Sequence, residues 1–516
     1  MMSPPLRERK NHTYEYKAPL RMEDRSTQPN DLSEIITSYV RFYSKLEWDF
    51  PKASTLKGNC LRVAVFDGES YSPTVNATYF IFPHFHLDLE VVSVISDPKG
   101  LFGFDSGIGV PGRGYFEAGG TTHIYSTINK DNKENFRNRG KYWERDGYVE
   151  LLDSQNTLYT SQMTGIRIHG FGSRSNPHKA LRLYALDERK NRGTFDKDLL
   201  NIASEKNTSI QSLILRAGGD RKDYLRDVVA QDIMKDMEID TQRNKPVIQF
   251  INGEYWGIVN LKDRYDEYYI ANKYQVDPED VIVLKEVVRK INGLDRINTN
   301  SKDEDHYYNK LHQYVLTHDL SLPQHYQYVC SQIDINSYCD YNITFLYMGN
   351  IDWYWYKHFR MWRTKSISSQ PFNDGKWRYM VWDFDQAYKH ANNLNVDFFN
   401  GYINRKHPQI DATKPNSFNG RTDFFSRLAE NAEFREHFVK RALWHLDNTF
   451  ATQRVYKIID ERYSTITSEL PRHKERWSIE ATSANDVADM KRFAARRSLI
   501  FRTQLMKYFP EQFTDN

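Results

Sequence analysis

The stretch "GIRIHGFGSRSNPHKALRLYA", residues 165–185, alternates apolar and polar residues on both sides of two glycines. This alternation predicts two strands joined by a glycine turn. Gly170 and Gly172 allow a ligand to approach the backbone closely, as a phosphate-binding turn requires. The turn also carries side chains that donate to phosphate oxygens, Ser173, Arg174 and Lys179. A nucleotide-phosphate site is one interpretation, and an ordinary hairpin with surface cations explains the same residues.

Residues 213–266 continue the pattern with a helix and a second hairpin. "LILRAGGDRKDYLRDVVAQDIM" places a glycine pair between a strand and a helix whose apolar residues recur at helical spacing. Asp227 on this helix would pair with Lys179 across a cleft, and a solvated helix charge is the alternative. "KPVIQFINGEYWGIVNLKDRYD" then contains the Asn-Gly signal of a two-residue hairpin turn. The sequence therefore predicts a helix followed by a hairpin.

A third segment, "DYNITFLYMGNIDWYWYKHFRMWR" at residues 340–363, contains a candidate general base. Asp352 follows an apolar run and lies beside two tryptophans. Desolvation in such surroundings raises the pKa of a carboxyl group towards the value that suits proton transfer from a hydroxyl nucleophile. An aspartate that caps the next element is the commoner use of an isolated aspartate and explains the same residue.

A fourth segment, "KWRYMVWDFD" at residues 376–385, ends an apolar run with two aspartates spaced by one residue. Strand alternation would place Asp383 and Asp385 on one face, where two like charges repel unless a cation lies between them. Mg²⁺ takes one or two protein carboxylates together with substrate phosphates and water. The segment therefore predicts a site for Mg²⁺ or Mn²⁺, and a loop cap that contains two acids is the alternative.

The composition is that of a globular chain with a sizeable core. Of the 516 residues, 39% are hydrophobic and 27% are charged. The formal net charge of +3 is too close to balance to indicate nucleic acid or an anionic membrane as the main partner. Three cysteines, Cys60, Cys330 and Cys339, exclude a disulfide framework. We expect neither a membrane span nor an export signal, because long apolar runs are missing and residues 1–20 lack an apolar core.

Together the four segments supply a glycine turn, a phosphate lysine, a base and metal carboxylates, the parts of a kinase-type phosphoryl-transfer site. Through these segments the sequence resembles the CotH kinase-like family, the spore-coat-protein-H type of atypical protein kinase, over roughly residues 163–510. "KGNCLRVAVFDGESYSPTVNATYFI", residues 57–81, resembles the β-sandwich module at the end of chitobiase-type enzymes. The resemblance implies a bacterial envelope or extracellular setting, with glycan contact through the N-terminal module.

The fold that the resemblance implies is α+β. It comprises an atypical protein-kinase-like domain with a helical C-terminal part, preceded by a β-rich, sandwich-like module. The expected boundaries are 1–30 for a polar tail, 31–85 for the partial β-sandwich-like module, 86–162 for a β-rich connecting region, 163–420 for the kinase-like core and 421–516 for the helical part. Apolar stripes at helical spacing in the last hundred residues independently favour helices there.

The resemblance also implies the roles of individual residues. Lys179 is the expected nucleotide-phosphate lysine and Asp352 the expected catalytic base. Asp383, with Asp385 beside it, is the expected metal ligand, and Asp263 stands near the nucleotide hinge where the family commonly has glutamate. The implied reaction is phosphoryl transfer from ATP, with Mg²⁺ or Mn²⁺, to Ser or Thr of a protein substrate in one cleft opposite Lys179.

Two departures from the kinase pattern keep other functions open. Kinase-type sites place an asparagine about five residues after the catalytic aspartate, where this chain has Lys357 and His358. "QAY" at residues 386–388 also replaces a glycine-bearing turn. The alternatives are a catalytically inactive surface protein that binds glycan or a protein partner, and an enzyme that transfers AMP from the same nucleotide.

Three other patterns have ordinary structural explanations. His84 and His86 would begin a metal site, but a structural role is the expectation because the sequence places no third ligand. Arginines in "RFAARRS" predict an exposed basic helix face rather than a phosphate site. They are Arg492, Arg496 and Arg497. Five tryptophans could stack on sugars, and core packing is the expectation for them. They are Trp353, Trp355, Trp362, Trp377 and Trp382.

Overall fold

The computed structural model describes residues 15–38, 49–72, 74–82, 86–117, 134–155, 157–187, 189, 191–201, 210–218, 223–285, 288–291, 294–297, 306–350, 360–389, 393–403 and 419–514. The chain divides into two compact units. The first unit comprises Met1–Tyr224, Arg243–Arg264 and Ser464–Thr482. The second unit comprises Leu225–Gln242, Tyr265–Tyr463 and Ser483–Asn516.

The strands are β1 (Asn59–Val63), β2 (Val75–Tyr79), β3 (Val91–Ser96), β4 (Arg145–Leu152), β5 (Leu158–Ile168), β6 (Leu181–Ala185), β7 (Ser212–Arg216), β8 (Asn244–Ile251), β9 (Glu254–Asp263), β10 (Val281–Lys285), β11 (Val288–Ile291), β12 (Leu294–Ile297), β13 (Arg360–Thr364) and β14 (Arg378–Met380). The α-helices are α1 (Pro98–Phe102), α2 (Arg113–Glu117), α3 (Arg226–Met234), α4 (Glu267–Tyr274), α5 (Gln313–Thr317), α6 (Pro323–Gln332), α7 (Ile335–Met348), α8 (Phe398–Ile403), α9 (Asn419–Leu428), α10 (Ala432–Asp447), α11 (Thr452–Thr467), α12 (Leu470–Trp477) and α13 (Ala484–Tyr508). Short 3₁₀ turns and a π-helix at His306–His312 complete the elements.

A closed barrel with the strand order β3-β4-β5-β6-β7-β9-β8 forms the centre of the first unit. Adjacent strands are antiparallel except β8 and β3, which pair in parallel and close the barrel. A buried apolar cluster takes side chains from all the barrel strands, among them Val94, Val149, Ile166, Leu183, Leu215, Val247 and Leu261. Because most of these residues alternate with polar ones, one face of each strand provides the core.

Two local predictions about the strands are confirmed. β5 and β6 are antiparallel strands on either side of the predicted glycine turn. Helix α3 precedes the hairpin of β8 and β9, as expected. Asn252 and Gly253 connect this hairpin with φ angles of 48° and 82°. Both angles lie in the left-handed region that a two-residue hairpin turn needs, which explains the Asn-Gly pair.

The second unit combines a small sheet with helices. The sheet has the order β10-β13-β14, and β11 pairs with β12. Helix α7 begins after Asp334, whose side chain accepts from the Ser337 N–H, and ends at Gly349 with a φ of 63°. One buried apolar cluster joins the sheet to α4, and its members include Tyr265, Ile270, Val281, Trp362 and Met380.

The predicted domain boundaries can be placed on these elements. Position 162/163, the expected start of the core, lies inside β5. The expected connecting region provides β3 and β4, which belong to the same barrel as the strands of the core. The described strands of residues 31–85 are β1 and β2, which form one two-stranded sheet, and the sandwich stays a prediction. One sheet therefore contains strands from both sides of the expected boundary.

The C-terminal residues are helical as predicted, from α9 to α13. The expectation of an exposed basic face on α13 is correct for Arg492 and Arg496, which are exposed, and wrong for Arg497. Arg497 is fully buried and donates to the carbonyl oxygens of Leu346, Tyr347, Leu394 and Val396. Its guanidinium is satisfied by backbone carbonyls, which no pattern along the helix itself reveals.

Other side chains singled out in the sequence have structural surroundings. Trp362 and Trp377 are fully buried, as expected for core residues. His86 is exposed and outside any strand, and His84 lies outside the described residues, as do Trp353 and Trp355. None of the helices in the described ranges is long and apolar enough to cross a membrane.

Candidate functional site

The glycine turn between β5 and β6 is held by Arg174. Gly170 has a φ of 104°, and a Cβ there would collide with the Ser173 Oγ atom, so glycine is required. Gly172 has no such neighbour. The Arg174 guanidinium donates to four carbonyl oxygens, those of Phe136 (3.0 Å), Asn138 (3.0 Å), Ile168 (2.6 Å) and Gly170 (2.8 Å). Burial, with the neighbouring Arg139, lowers the pKa of Arg174 to about 9.

Lys179 also belongs to the framework of this turn. Its Nζ atom donates to the carbonyl oxygens of Arg174 (2.7 Å) and Asn176 (2.9 Å) and lies 4.0 Å from the centre of the Phe136 ring. The side chain is buried, and desolvation, together with the nearby Arg174, lowers its pKa well below the usual value. Two of its three N–H donors are thus occupied by backbone. The phosphate-binding role of Lys179 stays a prediction.

Asp263, at the end of β9, is buried and forms an ion pair with Arg243, whose side chain is partly exposed. The Arg243 guanidinium donates to it through Nε (2.9 Å) and Nη2 (3.0 Å), and the Arg243 N–H donates at 3.1 Å. Arg243 also contacts Asp198 at 2.6 Å. Desolvation raises the pKa of Asp263, against the opposing effect of Arg243. A bidentate pair of this kind stabilises the barrel end, and the predicted hinge role of Asp263 stays a prediction.

In the second unit, the structure brings Asp227 next to the two predicted metal aspartates. Asp227 lies in the first turn of α3 and is buried. Its Oδ1 atom accepts from the N–H of Phe384, the residue between Asp383 and Asp385, at 3.0 Å. Gln231, one helical turn further along α3, donates to the carbonyl oxygen of Val381 at 3.3 Å. Helix α3 therefore fixes the backbone of residues 381–385. The predicted pairing of Asp227 with Lys179 stays a prediction.

The opposite side of the same peptide group is bound by Asn350. The Asn350 Nδ2 atom donates to the Asp383 carbonyl oxygen at 3.0 Å, and Asn350 is fully buried. The 383–384 peptide group is thus held at its C=O by Asn350 and at its N–H by Asp227. The sequence interpretation assigned no role to Asn350. Its signal was its position, directly after the helix-ending Gly349 and two residues before Asp352.

The backbone at Asp383 does not follow the predicted strand. β14 ends at Met380, and Asp383 has a φ of 66°, in the left-handed region that aspartate adopts at a cost. The expectation that strand alternation places both carboxylates on one face is therefore wrong. Asp383 is half-buried and Asp385 is buried. Such strain persists where surrounding contacts determine the conformation, as the two bonds to the 383–384 peptide group do here.

Asp352 lies among residues 351–359, outside the described part of the chain, and so do Lys357 and His358. Its role as a base stays a prediction. Asn350 and β13 are the described neighbours on either side of this segment. Asn350, the last described residue before this segment, binds the backbone carbonyl oxygen of Asp383.

The aspartate pair offers donors that suit a divalent cation. Asp383 and Asp385 offer carboxylate oxygens, the hard donors that Mg²⁺ and Mn²⁺ prefer. Among the residues that the structure describes, no group of three or more His, Cys, Asp or Glu side chains could hold a metal by itself. Mg²⁺ bound with nucleotide needs only one or two protein carboxylates. The chemistry of the residues present therefore fits a cation that arrives with phosphate oxygens.

The sequence interpretation also missed a group of arginines in the first unit. Arg167, Arg182, Arg192 and Arg264 surround the ring of Tyr184 and are called the arginine cluster below. The signal for part of it was present in the opening stretch. Arg167 and Arg182 occupy polar positions of the alternation and face each other in the β5–β6 register.

The chain was found to match a protein family. The model of the family described as CotH kinase protein matches residues 166–500, from within β5 to within α13. A search of curated proteins finds no match. The resemblance drawn from the sequence segments is thus confirmed for the kinase-like part. The likeness of residues 57–81 to a chitobiase-type module, the glycan contact and the envelope setting stay predictions.

Proposed function

The chain belongs to the CotH kinase protein family, and from this premise we propose that it transfers the γ-phosphoryl group of ATP to Ser or Thr hydroxyls of a protein. Membership of the family makes it a kinase-like protein that is expected to use a nucleotide. The proposal adds the donor, the divalent cation and the acceptor. Phosphoryl transfer depends mainly on positioning and on neutralising phosphate charge, so the proposal depends on how the charged side chains are fixed.

The observation that carries the proposal is the fixed 383–384 peptide group. Asn350 and Asp227 bind its two ends at 3.0 Å each, through side chains that are both buried. A non-glycine residue with a left-handed backbone costs roughly 1–3 kcal/mol, and such strain clusters at functional sites. Here the bonds to the 383–384 peptide group fix the backbone position of Asp383. This arrangement supports Asp383 as a ligand placed in advance for a cation.

In the proposed reaction, Asp383 and Asp385 would hold the Mg²⁺ or Mn²⁺ that accompanies the nucleotide. The cation would neutralise charge on the phosphate oxygens. Asp352 orients the acceptor hydroxyl and accepts its proton, so that the hydroxyl oxygen attacks the γ-phosphorus while ADP leaves. Asn350 and Asp227 position Asp383 through the 383–384 peptide group.

The test is incubation with γ-labelled ATP, Mg²⁺ and either casein or the protein itself. We expect label on Ser or Thr with the native chain and a loss of at least a hundredfold with Asp383→Asn or Asp352→Asn. Asp447→Asn is the matched control, because Asp447 is an exposed aspartate of the same unit that pairs with Arg502. Its labelling should equal that of the native chain.

Three outcomes would contradict the proposal. Equal labelling by native protein and Asp383→Asn would remove the metal aspartate from the reaction. Label from α-labelled ATP, without label from γ-labelled ATP, would show AMP transfer instead. If neither label appears and ATP with Mg²⁺ does not raise the melting temperature, the chain is a binding protein that keeps the family's fold. A saturating ligand at 100 times its Kd should add about 2.7 kcal/mol to the free energy of unfolding.

A further inference from the structure

The arginine cluster concentrates positive charge around one aromatic ring. The guanidinium carbons of Arg192, Arg167, Arg264 and Arg182 lie 4.0, 4.8, 5.9 and 6.0 Å from the centre of the Tyr184 ring. Arg167 lies in β5 and Arg182 in β6. Arg192 lies in the segment after β6, and Arg264 directly follows β9. Arg192 is exposed and the other three arginines and Tyr184 are half-buried, so solvent and ligands reach the group.

One carboxylate is described within the cluster, and two arginines share it. Glu144 accepts from Arg167 Nε at 2.7 Å and from Arg192 Nη2 at 2.5 Å. Arg182 contacts neutral partners instead, the hydroxyl of Tyr184 at 3.1 Å and the Nδ1 atom of His169 at 3.0 Å. Within the described ranges Arg182 forms no ion pair, and its buried Nε atom has no hydrogen-bond acceptor.

His169 does not supply the missing negative charge, since histidine is neutral or cationic. Burial and the nearby Arg182 and Arg216 lower its pKa well below the usual value, so it is neutral near pH 7. The pKa of Arg182 is lowered by burial and by the like charge of Arg264. The cluster therefore carries repulsion that the described side chains leave uncompensated at Arg182. An anion with several oxygens would relieve it, because the arginine fork matches phosphate geometry.

The cluster also adjoins the glycine turn. His169, which contacts Arg182, directly precedes Gly170. The cations inside the turn, Arg174 and Lys179, give their N–H groups to backbone carbonyls, as described above. The arginine cluster thus offers side-chain donors near this turn, where the opening sequence motif predicts phosphate binding.

We propose that the arginine cluster, with Arg182 as its principal donor, binds the phosphate chain of a nucleoside triphosphate. The assignment rests on the proposed function for the identity of the ligand. A chain of phosphates suits it better than a single phosphate, because four guanidinium groups lie 4.0–6.0 Å from the centre of the Tyr184 ring and each can bind a different oxygen.

The binding test uses sodium tripolyphosphate as the probe, with EDTA present so that no divalent cation contributes. Calorimetry should show binding by the native full-length chain and at least tenfold weaker binding by the double variant Arg182→Gln, Arg264→Gln. The matched control is Arg21→Gln with Arg62→Gln, two exposed arginines of the same unit outside the cluster. The control should stay within twofold of native affinity. Equal affinity in the cluster variant would overturn the assignment.

A measurement on the native protein covers the case in which the double variant does not fold. Phenylglyoxal modifies accessible guanidinium groups, and mass spectrometry locates the products. Saturating tripolyphosphate should protect Arg182, Arg192 and Arg264 at least fivefold and leave Arg62 unprotected. Equal reactivity at the cluster with and without tripolyphosphate would overturn the proposal.

Further arms separate this inference from the proposed function. ATP should compete with tripolyphosphate at the cluster, whereas adenosine should not. If ATP competes but no protein is phosphorylated, the assignment of the cluster stands and the proposed kinase reaction is rejected. If a folded double variant shows normal phosphorylation and ATP affinity, the proposed kinase reaction stands and the assignment of the cluster is rejected. Tripolyphosphate binding that ATP does not displace would contradict a nucleotide as the ligand.

Discussion

The glycine turn of the first unit and the aspartate segment of the second place their charged side chains in opposite situations. In the turn, Arg174 and Lys179 themselves hold the backbone, through bonds to carbonyl oxygens. In the aspartate segment, the neighbours Asn350 and Asp227 hold the backbone of Asp383. A charged residue that anchors its own loop has fewer donors left for a ligand. In the aspartate segment, the described contacts that fix the backbone come from other residues.

The largest expected effect is the loss of stability on Arg174→Met. The change removes the donor to four carbonyl oxygens. The bonds to Ile168 and Phe136 are buried. Each unpaired buried carbonyl costs about 1–3 kcal/mol, so we expect a loss of about 3–5 kcal/mol in denaturant unfolding. Arg21→Met, at an exposed site, is the control. A loss under about 1 kcal/mol would show that the turn does not need its arginine.

Lys179→Met should cost about 2–4 kcal/mol, because two carbonyl oxygens lose their donor in a buried setting. ATP affinity, measured on folded protein, should change less than about threefold if Lys179 is part of the framework. Unchanged stability together with a hundredfold fall in ATP affinity would contradict the framework role of Lys179. Lys179 would then be the phosphate lysine that the sequence motif predicts.

The pH dependence of stability provides a second test of the burial of Lys179. Its pKa is lowered well below 10.5 in the folded protein, by burial first and then by Arg174. Between the folded pKa and 10.5 the unfolded chain binds more protons, so this lysine makes stability rise with pH in that window. The slope reaches at most about 1.4 kcal/mol per pH unit. Urea unfolding at several pH values should show this slope in the native chain and lose it in Lys179→Met.

Asn350→Ala tests the aspartate segment of the second unit. Without the bond from Asn350 to its carbonyl oxygen, Asp383 loses its fixed orientation. Residues that orient metal ligands are worth about 10–100-fold in metal affinity. We expect Mn²⁺ affinity in the presence of ATP to fall about tenfold, as measured by electron paramagnetic resonance. Asn448→Ala, at an exposed helix end, is the control. Unchanged Mn²⁺ affinity in Asn350→Ala would separate the backbone contact from cation binding.

The smallest expected effect is a gain in stability on Asp383→Gly. Glycine adopts the left-handed φ of 66° without the penalty that aspartate incurs, although it loses more entropy on folding. We expect the free energy of unfolding to rise by about 0.5 kcal/mol while cation binding is lost. A fall in stability would indicate that the carboxylate supports the fold rather than a ligand.

Local patterns were sufficient for the strands around the glycine turn, the Asn-Gly hairpin and the C-terminal helices. In each case the signal lies within about 20 residues and reflects the period of one element or the needs of one turn. The aspartate pair is also visible in the sequence, although strand β14 ends at Met380, before Asp383. There the bonds to Asn350 and Asp227 prevail over the extended backbone that the apolar run favours.

The missed features depend on contacts between distant parts of the chain. Arg174 binds carbonyl oxygens of Phe136 and Asn138, some 36–38 residues away, and Asp227 meets Phe384 across 157 residues. Arg497 looked like part of a basic helix face, yet its partners lie 101–151 residues away. Each partner is a backbone group, and backbone groups are the same at every position. The sequence therefore gives no chemical signal for such pairs.

The closed barrel has a practical consequence for protein production. The family match begins at residue 166, whereas β3, β4 and most of β5 precede that position. A fragment that started there would leave β6 and β8 as bare sheet edges, and exposed edges promote aggregation. Recombinant versions should therefore start upstream of Val91, so that the barrel retains the partner of β8.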